Sequence, residues 1–312
     1  MGSGKISIGS VRIHDGKSLK EILYLHSAWL RGEGGERASL RGGSLADVNL
    51  RNVDLRKAVF NGTSFIESDL SCAEMGEAEF HKCDFRHALL DNADFASADI
   101  SDVDFQRCRM AEANFSETKM KNVIFKNALM RESRLYEARI DSCDFTGANL
   151  SGAYFNHAIA SDSVFTETNL QSCVFRNARF YSCRFITANM AGAHCSSVMA
   201  SDCDFRGVEL NSAKLQQANL SQCLFCGALM SRCDLQEANL SGSDFSRAVL
   251  VDAVLRESNL MATDFRGSIL ERARGLTGRQ LSQSITSFST VLPSGNRGPF
   301  TMGRDFELTA YR

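Results

Sequence analysis

Proline is almost missing from this chain: 312 residues hold two, Pro293 and Pro299, both close to the C-terminus. Up to residue 292 every backbone N–H is therefore available to a ladder, which suits a backbone whose amides are all paired. Long apolar runs are absent too. No segment approaches the roughly eighteen consecutive apolar residues of a membrane span, and MGSGKISIGSVRIHDGK has no apolar core of the length a signal peptide needs. These absences predict a protein without membrane insertion, placed in the cytoplasm, although signal-independent secretion leaves no such mark. Ile6 stands where a myristoylation signal wants Ser or Thr. Net charge is lacking as well: 35 basic and 37 acidic side chains leave −2, the balance of neither a nucleic-acid binder nor an acidic tail. Charge arguments must be local.

Catalytic signatures are equally scarce. No G-x-S-x-G, H-E-x-x-H or Gly-rich dinucleotide motif occurs, and GSGK at residues 2–5 lacks the first glycine and preceding strand of a phosphate loop. It reads as a flexible terminus. Eleven cysteines without a secretion signal read as free thiols of a reducing compartment.

What the chain has is a register. Written in fives from residue 36 it runs ERASL RGGSL ADVNL RNVDL RKAVF without a slip to RGSIL at Leu270, forty-seven consecutive units. The fifth residue of each unit, its centre, is Leu, Phe, Met or Ile except at Ala160, Cys195 and Ala200. The residue two before it is Ala, Cys, Val, Ser or Thr except at Gly43. Neither position ever carries a charge, an amide or a histidine, so both face inward and the charged residues take the other three positions. Glycine favours the second residue after the centre, as at Gly62, Gly147, Gly192, Gly227 and Gly267, where a bend would sit.

Five residues are too few for a helix–turn unit and do not fit the period of a flat strand, so each unit is one side of a closed coil. Every fourth centre from residue 65 is phenylalanine: Phe65, Phe85, Phe105, Phe125, Phe145, Phe165, Phe185, Phe205, Phe225, Phe245 and Phe265. Four units therefore make one turn, and these rings form a core ladder along one wall. Forty-seven units give about 12 coils, roughly 55–60 Å of stacked ladder.

The triplets ANL at 148–150, 218–220 and 238–240, ADF at 93–95 and CDF at 143–145 and 203–205 resemble the A-(D/N)-L-x-x pattern of the pentapeptide-repeat family. The resemblance covers residues 36–270. It implies an all-β solenoid, a right-handed quadrilateral parallel β-helix, with the square section and the handedness coming from the family. Capping is expected at both ends. Residues 1–35 form an N-terminal segment whose helix over about 18–31 plugs the first coil through Leu19, Ile22, Leu23, Leu25, Trp29 and Leu30. Residues 271–312 form a C-terminal cap and tail, similar to the tail after many bacterial arrays. There a short helix from about Gly278 to Ser284, with Leu276, Leu281, Ile285 and Phe288, covers the last coil, while 295–312 has no assignment.

With the shaft filled, function falls to the outward positions, and the chain reads as a non-catalytic scaffold for protein–protein interaction, with no cofactor and no metal. Cys223 and Cys226 form a C-x-x-C, but one faces inward and the other outward. The histidines at 14, 26, 81, 87, 157 and 194 share no rung column. Cysteines 183, 203 and 223 fall on successive rungs of one wall, where packing is the simpler role.

Two surfaces stand out. One wall carries ten aspartates against Lys82, Lys121 and Arg184; Asp84, Asp102, Asp104, Asp144, Asp202, Asp204, Asp244 and Asp264 are its candidate binding array. Its aspartates either cap backbone amides at the corners or meet a partner. A subset of the family protects type II topoisomerases by resembling duplex DNA in the DNA site of gyrase, so the resemblance makes gyrase a candidate partner and DNA mimicry the alternative function. The chain departs from that subset in being nearly neutral, in lacking a loop insertion and in placing arginines beside the acidic stripe. The other surface is apolar: Leu229, Val249 and Ile269, with Val251 and Val254, await either the C-terminal segment or a second copy in a homodimer through the C-terminal end.

Overall fold

The computed structural model describes residues 5–8 and 16–301; Gly2–Gly4 of GSGK, His14 and the last eleven residues of the tail lie outside them. The chain divides into two compact units, Met1–Tyr154 and Phe155–Arg312.

Most five-residue steps begin with a type II turn, whereas those leaving Leu40, Phe60, Phe80 and the centres above them on that side as far as Ala200 bend without its closing hydrogen bond. The carbonyl of a centre accepts the N–H three residues on, as from Ala148 to Phe145 at 2.9 Å and from Ala218 to Leu215 at 3.1 Å. The second residue after the centre then adopts a left-handed conformation, with φ of 57° at Glu112 and 58° at Gln217. Glycine meets this requirement without strain at Gly147, where a Cβ would also fall 2.6 Å from Asn127 Oδ1. At most corners an ordinary side chain takes the left-handed geometry, a cost of about 1–2 kcal/mol each that the ladder on either side offsets.

Between turns the backbone extends and pairs in parallel with the stretch twenty residues on. In the first unit one side is built of β1 (Ser39–Arg41), β2 (Val59–Asn61), β3 (Glu79–His81), β4 (Asp99–Ser101), β5 (Lys119–Lys121) and β6 (Arg139–Asp141). The other three sides pair through bridges such as Ser44↔Ser64, Asn49↔Asp69 and Asp54↔Glu74, so a turn has four sides. The second unit repeats the plan with β7 (Ile159–Ser161), β8 (Arg179–Tyr181) and β9 (Met199–Ser201), and with Val164↔Arg184, Asn169↔Asn189 and Val174↔His194 on the remaining sides. Past Ser201 the strand side continues as single bridges, Met199↔Asn219, Asn219↔Asn239 and Asn239↔Asn259. Regular strands are therefore fewer than the coils counted from the register. Stacked amides support those rungs: Asn239 Nδ2 donates to Asn219 Oδ1 at 3.1 Å and Asn259 Nδ2 to Asn239 Oδ1 at 3.0 Å.

From Leu55 to Leu270 every centre and every small position is buried. The first coil is looser, with Gly43 exposed and Val53 half-buried. In the first unit Phe65, Phe85, Phe105, Phe125 and Phe145 stack with centroids 4.4–5.2 Å apart. In the second, Phe165, Phe185, Phe205, Phe225 and Phe245 stack at 4.7–4.8 Å, and Phe265 tilts by 39° at the end. Offset stacking and rung spacing coincide, so one residue type satisfies both. Where small centres interrupt the pattern, packing thins: Phe180, Met190, Cys195, Val198 and Phe205 line an apolar cavity of about 10 Å³.

Helix α1, Leu19–Leu30, starts from Ser18, whose Oγ accepts the Glu21 N–H at 3.2 Å. Leu19 is buried, but Ile22, Leu23, Leu25 and Leu30 are half-buried and Trp29 is exposed. The deepest contact is one that hydrophobic spacing does not mark: His26 is fully buried, and its Nδ1 accepts the Ala38 N–H at 3.1 Å, tying the helix to the first strand. Nε2 then carries the ring proton and has no hydrogen-bond partner. Burial lowers the pKa of His26, outweighing the nearby Asp54 carboxylate and the Arg56 backbone, which oppose it, and the Arg37 charge adds to the shift. The unfolded chain takes up this proton as pH falls through about 6.5 while the folded chain does not, so stability drops on the acid side of that value. We expect the melting temperature to fall between neutral pH and mild acid, and to fall less in His26→Gln; equal slopes by differential scanning calorimetry would refute the assignment.

At the other end, β-bridges Asp264↔Ile285 and Ile269↔Val291 add a final partial coil, and Val291 turns back to pair antiparallel with Arg297. Helix α2, Gly278–Ser282, is entered through a capping box between Thr277 and Gln280. Leu276 and Leu281 are buried. Ile285 and Phe288 instead stand 46% and 84% exposed, because the chain there adds a rung alongside the coil; the third covering side chain is Leu292.

Candidate interaction surfaces

The aspartate before each centre sits at a corner, and its carboxylate turns onto the backbone. Oδ1 accepts the N–H two residues on at Asp84, Asp104 and Asp144 in the first unit and at Asp204, Asp244 and Asp264 in the second, at 2.8–3.1 Å. This is the Asx turn, so six of the eight array residues serve the fold. Three are also forked by an arginine. Arg86, Arg206 and Arg266 each place Nη2 2.6 Å from the Oδ2 of Asp84, Asp204 and Asp264. Lys126 Nζ lies 3.0 Å from Asp144 Oδ2.

These cations lie two residues past their acids or on the preceding coil, so counting by position assigns them to the adjoining wall, whereas the turn brings them back over the carboxylates. At Asp264 the Arg266 hydrogen bond, set against burial, holds the carboxyl below its ordinary range. At Asp84 and Asp204 burial pushes upward, and the arginine forks with the Asx turns outweigh it. The arginines are the more exposed partners, 54% against 15% at Arg206 and Asp204, so the outermost charge there is positive. Asp102 accepts from Asn122 Nδ2 at 3.0 Å, and Asp202 from Ser201 Oγ at 3.1 Å. The wall is thus less acidic than its residue count.

In the second unit Leu229, Val249, Ile269 and Val291 form one parallel ladder. The C-terminal segment extends this column as its next rung. Leu229 is 38% exposed, and Val249, Ile269, Val251 and Val254 are half-buried. Leu224, 41% exposed, lies on a neighbouring side.

The cysteines of the small positions are buried thiols. Burial raises the pKa of Cys83 to about 11 and of Cys143 and Cys223 to about 12, far from a reactive thiolate. Cys223 is buried and Cys226 half-buried, both free. Among the described residues no group of three or more His, Cys, Asp or Glu is placed to hold a metal ion, and no helix is long and apolar enough to cross a membrane. One surface escapes a search for acid or apolar columns: the side through Val174, His194 and Lys214, which is marked by the carboxylates it lacks.

Two family models match the chain: "Pentapeptide repeat region" over residues 78–145, and "Pentapeptide repeats (8 copies)" over 36–71, 148–185, 188–227 and 228–267. No curated protein matches it. Among solved structures the chain is similar to HetL, a pentapeptide repeat protein involved in heterocyst differentiation regulation from the cyanobacterium Nostoc, at 21% identity over 87% of this chain and 96% of that one, TM-score 0.30. It is similar to QnrB1, a plasmid-mediated fluoroquinolone resistance protein, at 17% identity over 62% of this chain and 91% of that one, TM-score 0.27. The A-module of the Azotobacter vinelandii mannuronan C-5 epimerase AlgE4 matches at 10% identity over 92% of this chain and 89% of that one, TM-score 0.26.

Proposed function

Because the chain belongs to the pentapeptide-repeat family, we propose that it is a non-catalytic binding protein that offers flat solenoid sides to a protein partner in the cytoplasm. The observation that supports this reading is the uninterrupted burial of every centre and small position from Leu55 to Leu270, which commits the inward side chains to packing and leaves chemical variety to the outward ones. A cleft of about 70 Å³ beside α1, lined by Lys17, Ile22, Leu25, Glu36, Arg37 and Ser39, is far smaller than the roughly 300–1,000 Å³ of a small-molecule site. A second copy meeting the C-terminal end through Leu229, Val249 and Ile269 is one form such a partnership takes.

DNA mimicry toward gyrase is the less favoured reading, since Asp84, Asp144, Asp204 and Asp264 are already paired with cations. We expect affinity capture from the native cell to recover a partner that is lost when exposed side residues are replaced, and gyrase supercoiling to be unaffected by excess protein. Inhibition of supercoiling that disappears when Asp102, Asp104, Asp202 and Asp244 become asparagine would replace this reading with DNA mimicry.

A further inference from the structure

On the second unit, the side whose ladder runs Val174↔His194↔Lys214 carries no aspartate or glutamate over three successive coils, residues 171–177, 191–197 and 211–217. In the first unit every coil of the equivalent side from residue 51 to 137 has at least one acid, among them Asp54, Glu74, Asp94, Glu112 and Glu132. The acid-free coils hold Arg176 and Lys214, both exposed, with His194 half-buried between them. Their remaining outward positions are dominated by hydroxyls and amides. Ser196 Oγ donates to Gln216 Oε1 at 2.8 Å, and Gln216 Nε2 donates to Asp234 Oδ2 at 2.7 Å. Asp234, which also accepts the Gln236 N–H at 3.1 Å, marks where acids return on the next coil.

We propose that this side of the second unit is a docking surface for a carboxylate-rich segment of a partner protein, with Arg176, His194 and Lys214 as its cationic contacts. The proposal rests on the protein-binding reading above and names the chemistry of the partner. Charge complementarity is the argument. Arg176 and Lys214 flank His194 on the preceding and following coils, no charged residue shares the His194 coil on this side, and no acid among these coils competes with an incoming carboxylate. Nucleic acid fits less well. Its backbone is held by neutralising many phosphates, whereas this side has two permanent cations, and its outward positions carry no Phe, Tyr or Trp on which bases could stack, only the half-buried His194 ring.

His194 supplies the reporter. Burial lowers its pKa, and the charges of Lys214 and Arg176 lower it further. A bound carboxylate reverses the sign of that field, so the NMR titration midpoint of the His194 ring should move upward on adding a fluorescein-labelled oligoglutamate peptide to the whole protein. Anisotropy should report binding that weakens with salt and is about tenfold weaker in Arg176→Glu/Lys214→Glu. Arg176→Gln/Lys214→Gln should fall between, with circular dichroism unchanged. An unmoved His194, or equal binding by the double variants, overturns the proposal. Tighter binding of a labelled single-stranded oligonucleotide, lost in the same variants, overturns it in favour of a polyphosphate ligand. If the native partner is captured normally by the double variants, this surface is wrong and the protein-binding reading stands. If no partner is captured by any form, that reading fails by itself.

Discussion

Phe205→Ala is expected to destabilise the second unit by about 3–5 kcal/mol, the cost of deleting a fully buried aromatic side chain. The ring lies between Phe185 and Phe225 with centroids 4.8 Å from each, so alanine removes two stacking contacts as well as buried area. It also borders the cavity beside the small centre Cys195, so the new void joins an existing one and the neighbours cannot close it from that side. Phe205→Asp goes further, because a carboxylate between two stacked rings finds no donor and must either stay protonated or let the coil open. Urea unfolding followed by circular dichroism checks both: a midpoint well below that of the parent for alanine, and loss of a cooperative transition for aspartate. A parent-like midpoint in either would mean that the centres do not line a dry shaft.

That shaft was legible in the sequence because one constraint acts on it at every step. A side chain at Phe145 or Ala148 faces the interior whatever its neighbours are, so exclusion of charge accumulates over the whole array into a register that no local accident can hide. The bends were legible only in part. Gly147 and Gly267 mark the left-handed corner residue, but Glu112 and Gln217 adopt the same φ without any compositional sign, because the flanking ladders impose it. Surface pairings were the least legible. Arg206 and Asp204 belong to different positional columns, and only the turn between them shows that the guanidinium folds back over the carboxylate. Numbering alone therefore overstates how acidic the wall is. His26 is illegible for the opposite reason: a polar residue on an apolar helix face carries no signal in sequence, and its role follows only from the Ala38 N–H that it accepts. Hydrophobicity marks Phe288 as a cap residue, while Leu292, four residues on, covers the coil, since the segment after α2 first adds a rung and only then turns inward. The acid-free side could have been found by sorting all four sides for missing charge.

Ending the chain at Arg274 is the second change with a large expected effect: the shortened protein should self-associate beyond the mass of the parent. The terminal segment closes the last coil through backbone bonds from Ala262 N to Gln283 O, Phe265 N to Ile285 O, Leu270 N to Val291 O and Arg272 N to Pro293 O, at 2.7–3.0 Å. Two return bonds, from Ile285 N to Thr263 O and Val291 N to Ser268 O, satisfy carbonyls of the same coil. Gln280 Nε2 reaches the Leu255 and Ser258 carbonyls at 3.1 and 2.9 Å, and Thr290 Oγ1 the Phe265 carbonyl at 2.9 Å. Leu276, Leu281 and Leu292 bury their side chains in the same step. Removing all of this leaves a regular edge of unpaired N–H and C=O groups beside the freshly exposed side chains of Leu255, Leu260 and Leu270 and the ring of Phe265. Water can hydrogen-bond the polar groups but leaves the apolar side chains exposed, so the cheapest remedy is another copy's edge laid against the first. Light scattering against concentration measures the outcome: mass rising with concentration for the shortened chain at concentrations where the parent is constant. A truncated protein of constant mass and parent-like melting temperature would show that the last coil is stable uncovered, and that residues 276–301 serve some purpose other than closing it.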